Sequence, residues 1–352
     1  MTLSRRALLQ SFLGLGAVLS GCGGSGRSLA SGRGEIKFGL GDDPEKLANR
    51  YDPAGGQILD LLEPDILCFW LNGGVDPNGQ VHGESMLHIR QWAQKGRFAQ
   101  WSDRGYELML VTWENYDGQN PQLGGATLGN YHISPAFIQD LAEIVQILKS
   151  QFRNRVYVAL ATEQSTYTAC RTNPACKHGP PYSDHINSLT VNYFTDLRGN
   201  LLQAVRLLER SGLDLHYGPS FGGWLVEFEE GLSFIEFFEP VIRASNALFF
   251  QSMMEKKASE TGGYGNPQRI LKNCQFFSKY GKPLHLAHYM PVNHRADVVA
   301  EDARAMSEEG YLRELYRLGL RSFSFMYYGL LKDNAYGALE AMSSFRKKLR
   351  RI

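Results

Sequence analysis

Glu163 closes the run Val156-Tyr157-Val158-Ala159-Leu160-Ala161-Thr162, where a carboxylate adds nothing to packing. A carboxyl group partly enclosed at such a place binds its proton more tightly and can protonate a leaving group. Hydrolysis of a glycosidic bond by that chemistry needs a second carboxylate as base or nucleophile. Three other apolar runs offer one. Glu255 follows Phe249-Phe250-Gln251-Ser252-Met253-Met254, Glu114 follows the run 107–112, and Asp42 with Asp43 follows 36–40. The order of preference is Glu255, Glu114, Asp42. Lys256-Lys257 beside Glu255 also suits a solvated charge cluster, and Asp43 before Pro44 is an ordinary loop choice. Amides, hydroxyls and rings stand at the same places: Asn72, Trp113, Gln164, Tyr167, Ser220, Trp224, Gln251, Ser252, His288, Tyr289 and Tyr327. Rings stack on the C–H faces of sugars and amides bond hydroxyls, so Asn72, Trp113, Tyr167, Trp224, His288, Tyr289 and Tyr327 are expected to bind substrate. The plain alternative is packing of loop against core, and for His288 a satisfied wall histidine.

Other chemistries find less support. His285 and His288 stand three apart on a strand pattern, which aims them at opposite faces and makes a poor ligand pair. His82 and His88 also face different ways. No His-x-His occurs in the first apolar run, so no metal is expected. G-x-G-x-x-G after the first run, a P-loop, H-E-x-x-H and an EF-hand are all absent, and no cofactor is expected.

The elements that must position these residues repeat one unit, a short apolar run, a polar loop and an amphipathic stretch. The expected strands are Ile36–Leu40, Ile66–Leu71, Glu107–Thr112, Val156–Ala161, Leu213–Tyr217, Ala247–Gln251, Pro283–His288 and Ser322–Tyr327. Helices are expected at Ala54–Glu63, Glu84–Arg104, Pro135–Gln151, Ile186–Ser211, Gly231–Ala244, Asn266–Tyr280, Ala296–Leu318 and Ala335–Leu349. Turn signals such as Glu63-Pro64-Asp65 and Tyr280-Gly281 precede several strands. Eight strand–helix pairs predict an α/β protein, a single (β/α)8 TIM barrel over 35–352, whose site lies at the strand C-termini. A doubly wound sheet would favour fewer strands and a glycine-rich first turn.

Before the barrel, residues 1–21 read as a signal peptide. Arg5-Arg6 form a positive start, Ala7–Gly21 is apolar and uncharged, and it is too short to span a bilayer. Ser4-Arg5-Arg6-Ala7-Leu8-Leu9 resembles a twin-arginine export signal, and Leu19-Ser20-Gly21-Cys22 resembles a bacterial lipobox in which Cys22 is lipidated. Residues 22–34 then form a Gly/Ser tether. An exported protein, lipid-anchored to a bacterial membrane and facing the periplasm or exterior, is expected. In such a compartment Cys170 and Cys176, enclosing Arg171-Thr172-Asn173-Pro174-Ala175, are expected to form a disulfide. Cys68 and Cys274 lie in apolar surroundings and read as buried free thiols.

Composition bounds the remaining choices. The 352 residues are 43% hydrophobic and 21% charged, which suits a globular chain. Lys+Arg 37 against Asp+Glu 36 gives +1, without the basic excess of a nucleic-acid binder. Over 35–352, the strand rhythm and Glu163 at the end of the fourth strand resemble the (β/α)8 glycoside hydrolases of the clan that includes cellulases and mannanases. The resemblance implies that Glu163 is the acid/base. In that clan Asn commonly precedes this Glu and a Glu ending strand seven is the nucleophile. Here Thr162 precedes it, and strand seven ends Leu286-Ala287-His288-Tyr289. A strand-four and strand-six pair, Glu163 with Glu255, resembles another barrel clan that uses aspartates. Three readings follow: a lipid-anchored glycoside hydrolase acting on a polysaccharide, an inactive barrel that binds polysaccharide or serves envelope assembly, and a barrel hydrolase or lyase of another class.

Overall fold

Aliphatic and aromatic residues alternating on two faces form the eight strands of a closed parallel barrel. The computed structural model describes residues 35–352 other than 42, 72–73, 76–80, 83, 113–121, 124–125, 128–134, 167–185 and 189. The strands are β1 (Lys37–Gly41), β2 (Ile66–Leu71), β3 (Glu107–Thr112), β4 (Val156–Leu160), β5 (Leu215–Phe221), β6 (Leu248–Ser252), β7 (Leu284–Tyr289) and β8 (Leu320–Met326). Each pairs with its neighbours in sequence, and β1 closes on β8. Cys68, Met109, Ala159, Phe249 and Ala287 fill the interior. Leu67, Leu108, Val158, Phe250 and Phe323 face the helices. Gly39 is required where β1 meets its neighbours, because a Cβ there would lie 2.6 Å from both Cys68 Sγ and Ser324 Oγ. The expected single (β/α)8 barrel is therefore present.

The helices are α1 (Pro44–Ala48), α2 (Pro53–Leu62), α3 (Met86–Gln94), α4 (Arg97–Asp103), α5 (Pro135–Gln151), α6 (Val191–Glu209), α7 (Glu229–Phe237), α8 (Glu239–Ala244), α9 (Asn266–Phe277), α10 (Ala296–Met306), α11 (Glu309–Arg317) and α12 (Ala338–Leu349). Three expected helices are each two. Gly96, at φ 65°, separates α3 from α4. Pro240, in the first turn of α8, lacks the N–H that would continue α7. Extended Glu308 separates α10 from α11. β5 runs beyond its expected end because Gly218 and Pro219 interrupt the apolar pattern without interrupting the strand. None of the helices described is long and apolar enough to cross a membrane.

At the N-terminal end of the barrel a polar floor replaces the apolar filling. Tyr157 Oη donates to Glu107 at 2.7 Å, and Lys37 pairs with the same carboxylate. His216 Nδ1 and His285 Nε2 are hydrogen-bonded at 2.8 Å, and His285 Nδ1 meets Ser322 Oγ at 2.8 Å. Burial, reinforced by the charge of Arg155, pushes the His216 imidazole down to about 4. Burial likewise pushes His285 well below its ordinary range. The fold thus holds both rings neutral, whereas the unfolded chain protonates them near their ordinary value of about 6.5. Stability is fully present above that value and falls as pH drops toward about 4. For His216, held at about 4, the loss is on the order of 3 kcal/mol, and His285 adds to it in the same direction. Thermal melts between pH 7 and 4 should show the fall, and His216→Gln should flatten it. An unchanged pH profile in that variant would remove the pair as its cause.

The same end is closed from outside by α12. Arg346, 2% exposed, donates from Nη2 to Asp65 Oδ1 at 2.8 Å and to the Glu63 carbonyl at 3.2 Å. Asp65 Oδ2 accepts from the Phe38 backbone N–H at 2.7 Å, so one carboxylate joins the last helix to the first strand.

Candidate active site

The turn after β4 is built against the grain of the backbone. Ala161 (φ 54°) and Glu163 (φ 57°) are both left-handed, a conformation costing a non-glycine residue roughly 1–2 kcal/mol. Thr112, buried at the end of β3, holds it in place. Its hydroxyl donates to the Ala159 carbonyl (3.1 Å) and accepts from Ala161 N (3.0 Å), while its carbonyl accepts from Thr162 N (2.8 Å). The turn continues as one 3-10 turn, Gln164–Thr166. Strain maintained by dedicated contacts is a mark of functional sites. It leaves Glu163 half-buried at the mouth, where Oε1 accepts from Gln251 Nε2 at 2.9 Å.

Gln251, fully buried, is the β6 residue that reaches Glu163. Glu255, the favoured partner by sequence, lies beyond the strand, exposed, and accepts from Asn293 Nδ2. Behind β6, Asn266 at the start of α9 accepts from Ser252 Oγ (2.7 Å) and Met254 N (2.8 Å). It donates to Asp302 Oδ2 of α10 at 2.8 Å. Burial pushes the Asp302 carboxyl up to about 7, against the opposing hydrogen bonds of Tyr289 and Asn266. This network accounts for Tyr289. Its ring is fully buried against Phe323 and Phe325, with its hydroxyl donating to Asp302 at 2.7 Å. Tyr289 therefore faces the helices rather than the mouth, which corrects its expected role as a sugar platform.

A bulge in β7 explains the turn of that residue. Phe250 pairs with Leu286 and Gln251 with His288, so Ala287 has no counterpart on β6. The extra residue inverts the alternation. His285 and His288 consequently both face inward, which corrects the expectation that they point to opposite faces. His285 sits in the floor, and His288 lies higher, edge-on to Trp70 at 5.9 Å, with Nε2 3.0 Å from Met253 Sδ. Burial pushes its imidazole down to about 3, so it is neutral at ordinary pH.

The rim carries two further candidates. Tyr327 (φ 109°) stacks on His294 (φ 51°) with centroids 4.6 Å apart. Gly329 lies against the same tyrosine ring, 3.0 Å from Cζ measured from a built Cβ. His294, which no sequence signal singled out, thus presents the exposed ring at this place. Trp224 is half-buried in a loop pinned by Asn273 Nδ2 donating to the Gly223 carbonyl (2.7 Å) and by the Glu227–Arg269 pair (2.7 and 3.0 Å). Glu84, also unmarked by sequence, is drawn beside the end of β2 by pairing with Leu71, and its carboxylate meets His88 Nδ1 at 2.8 Å.

Asp42, Asn72, Trp113, Glu114, Tyr167, Cys22, Cys170 and Cys176 lie outside the described residues. Cys68 and Cys274 are buried free thiols as expected, and burial pushes the Cys68 thiol up to about 12. Among the described residues no group of three or more His, Cys, Asp or Glu side chains could hold a metal ion.

No family model matches the chain, and no curated protein matches its sequence. Solved structures do resemble it. An endo-β-1,4-mannanase of glycoside hydrolase family 26 from Cellulomonas fimi superposes with a TM-score of 0.53 at 11% identity, over 86% of this chain and 70% of that one. The β-glycosidase of Thermosphaera aggregans gives 0.51 at 8% identity, over 90% and 96%. A β-glycosidase from Pyrococcus horikoshii gives 0.50 at 10% identity, over 90% and 94%. At these identities the likeness is one of architecture, and the chain has the (β/α)8 barrel fold of those glycoside hydrolases.

Proposed function

We propose that the protein is an exported, lipid-anchored glycoside hydrolase-like enzyme acting on a polysaccharide, with Glu163 as the proton donor. The observation that carries this reading is Glu163 itself, a half-buried carboxylate on a strained turn at the barrel mouth, held by Gln251. Its partner carboxylate is sought first in Glu114, directly after the neighbouring β3, then in Glu255 and Asp42. Export rests on Arg5-Arg6, the apolar stretch 7–21 and Leu19-Ser20-Gly21-Cys22. The nearness of the fold to glycoside hydrolases supports a saccharide substrate.

One observation favours a second reading. β7 brings a buried neutral imidazole, His288, to the mouth. A barrel without a facing carboxylate there would bind polysaccharide and leave it intact. A panel of polysaccharides, assayed for both new reducing ends and retention of the protein, separates the two. Turnover is the expected result. Retention without turnover establishes the binding protein, and neither result with any polysaccharide overturns both. In the native host the protein should fractionate with membranes, and Cys22→Ser should release it or block its maturation. A soluble wild-type protein with an unmodified Cys22 would overturn the anchor.

A further inference from the structure

Among the described residues, five uncharged side chains at the mouth ends of four consecutive strands keep polar atoms without hydrogen-bond partners. They are both amide heteroatoms of Gln164, Ser165 Oγ, Ser220 Oγ, Gln251 Oε1 and His288 Nδ1. None of these residues is more than 1% exposed. The pairing register groups them. Ser220 lies level with Phe249 of β6, and Gln251 lies level with His288 of β7. The turn carrying Gln164 and Ser165 packs on β5. The other amide atom of Gln251 holds Glu163. Native folds leave few buried polar atoms unpaired, and each calls for an explanation. Six on one side of one barrel, beside the candidate acid, call for a ligand.

The composition of the set indicates which ligand. It mixes donors and acceptors and carries no charge, and His288 stays neutral because it is buried. Hydroxyl groups both donate and accept, so they match such a lining. A carboxylate brought here would lose its water without meeting a cation in the set. We propose that Gln164, Ser165, Ser220, Gln251 and His288 form a subsite for a neutral, hydroxyl-rich sugar ring that discriminates against uronic acids. The inference rests on the carbohydrate reading above and adds the substrate class. Met253 rests its sulfur on His288, and its unbranched side chain can turn aside there.

The test is calorimetric titration of the full chain with neutral gluco-, manno- and galacto-configured oligosaccharides, and with oligomers of galacturonate and mannuronate. At least one neutral series should bind about tenfold or more tighter than either uronate. Gln164→Leu removes two unpaired atoms at nearly constant volume. It should weaken the neutral ligand by about tenfold or more while raising the melting temperature. Ser220→Ala, a smaller change, should shift both in the same directions and serves if the first variant fails to fold. Preference for a uronate overturns this inference alone. So does neutral-ligand affinity unchanged in Ser220→Ala and in any folded Gln164→Leu, because the unpaired atoms are then merely buried. Absence of binding by every saccharide overturns the carbohydrate reading as well.

Discussion

Glu163→Gln should lower turnover of a glycosidic substrate by about 10²- to 10⁴-fold, the usual contribution of a general acid. Gln keeps the size and the hydrogen-bonding outline of the side chain but has no proton to give. Binding should stay near wild type, provided the amide turns its oxygen toward Gln251 Nε2. The left-handed backbone at 163 is unaffected by the change, so the melting temperature should hold. A melting temperature lowered in step with activity would make the residue a structural one. Full-rate hydrolysis by the variant would remove Glu163 from the chemistry and leave Glu114 and Glu255 as the carboxylates to test.

Asp65→Ala should cost about 3 kcal/mol of stability, the lower end of the range for breaking a buried ion pair, because Arg346 is buried while Asp65 is half-buried. The size follows from what is left behind. The Arg346 guanidinium, 2% exposed, would keep the Glu63 carbonyl at 3.2 Å and a distant carboxylate, Glu35, at 4.0 Å. The Phe38 N–H would also lose its acceptor. Thermal and denaturant unfolding measure the loss. Adding Arg346→Met should recover part of it, because an apolar chain needs no counter-charge there, and the pair should therefore be non-additive. A double variant less stable than Asp65→Ala would show that Arg346 contributes mainly through its packing on Phe38.

Much of the architecture was legible because each barrel strand is short, apolar and fenced by turn residues. Ile66–Leu71 and Glu107–Thr112 are the observed β2 and β3 residue for residue. Helix breaks were not, since Gly96 and extended Glu308 interrupt patterns whose apolar periodicity continues on either side. In the site, Glu163 was legible because a carboxylate ending an apolar run is conspicuous. Gln251 was visible only as a strand end, and its bond to Glu163 spans 88 residues that no local pattern connects. Thr112, Asn266 and Asp302 likewise act through contacts from one element to another, which no local pattern connects. The outward turn of Tyr289 and the shared inward face of His285 and His288 escape sequence reasoning for one reason: period-two reasoning assumes an unbroken ladder, and β7 has a bulge.

That bulge amounts to a frameshift in three dimensions. Upstream of Ala287, β7 reads in one phase; downstream it reads in the other. A position-by-position transfer of strand-seven residues from an unbulged barrel would therefore write each side chain beyond Ala287 onto the wrong surface. A carboxylate grafted at 289 would enter the closed chamber of Asp302, placing two acids where one already holds its proton to about pH 7. The same graft at 288 would arrive beside Trp70 and Met253, at the level of Gln251. A carboxylate meant to reach the mouth from strand seven of this barrel has to be placed at residue 288.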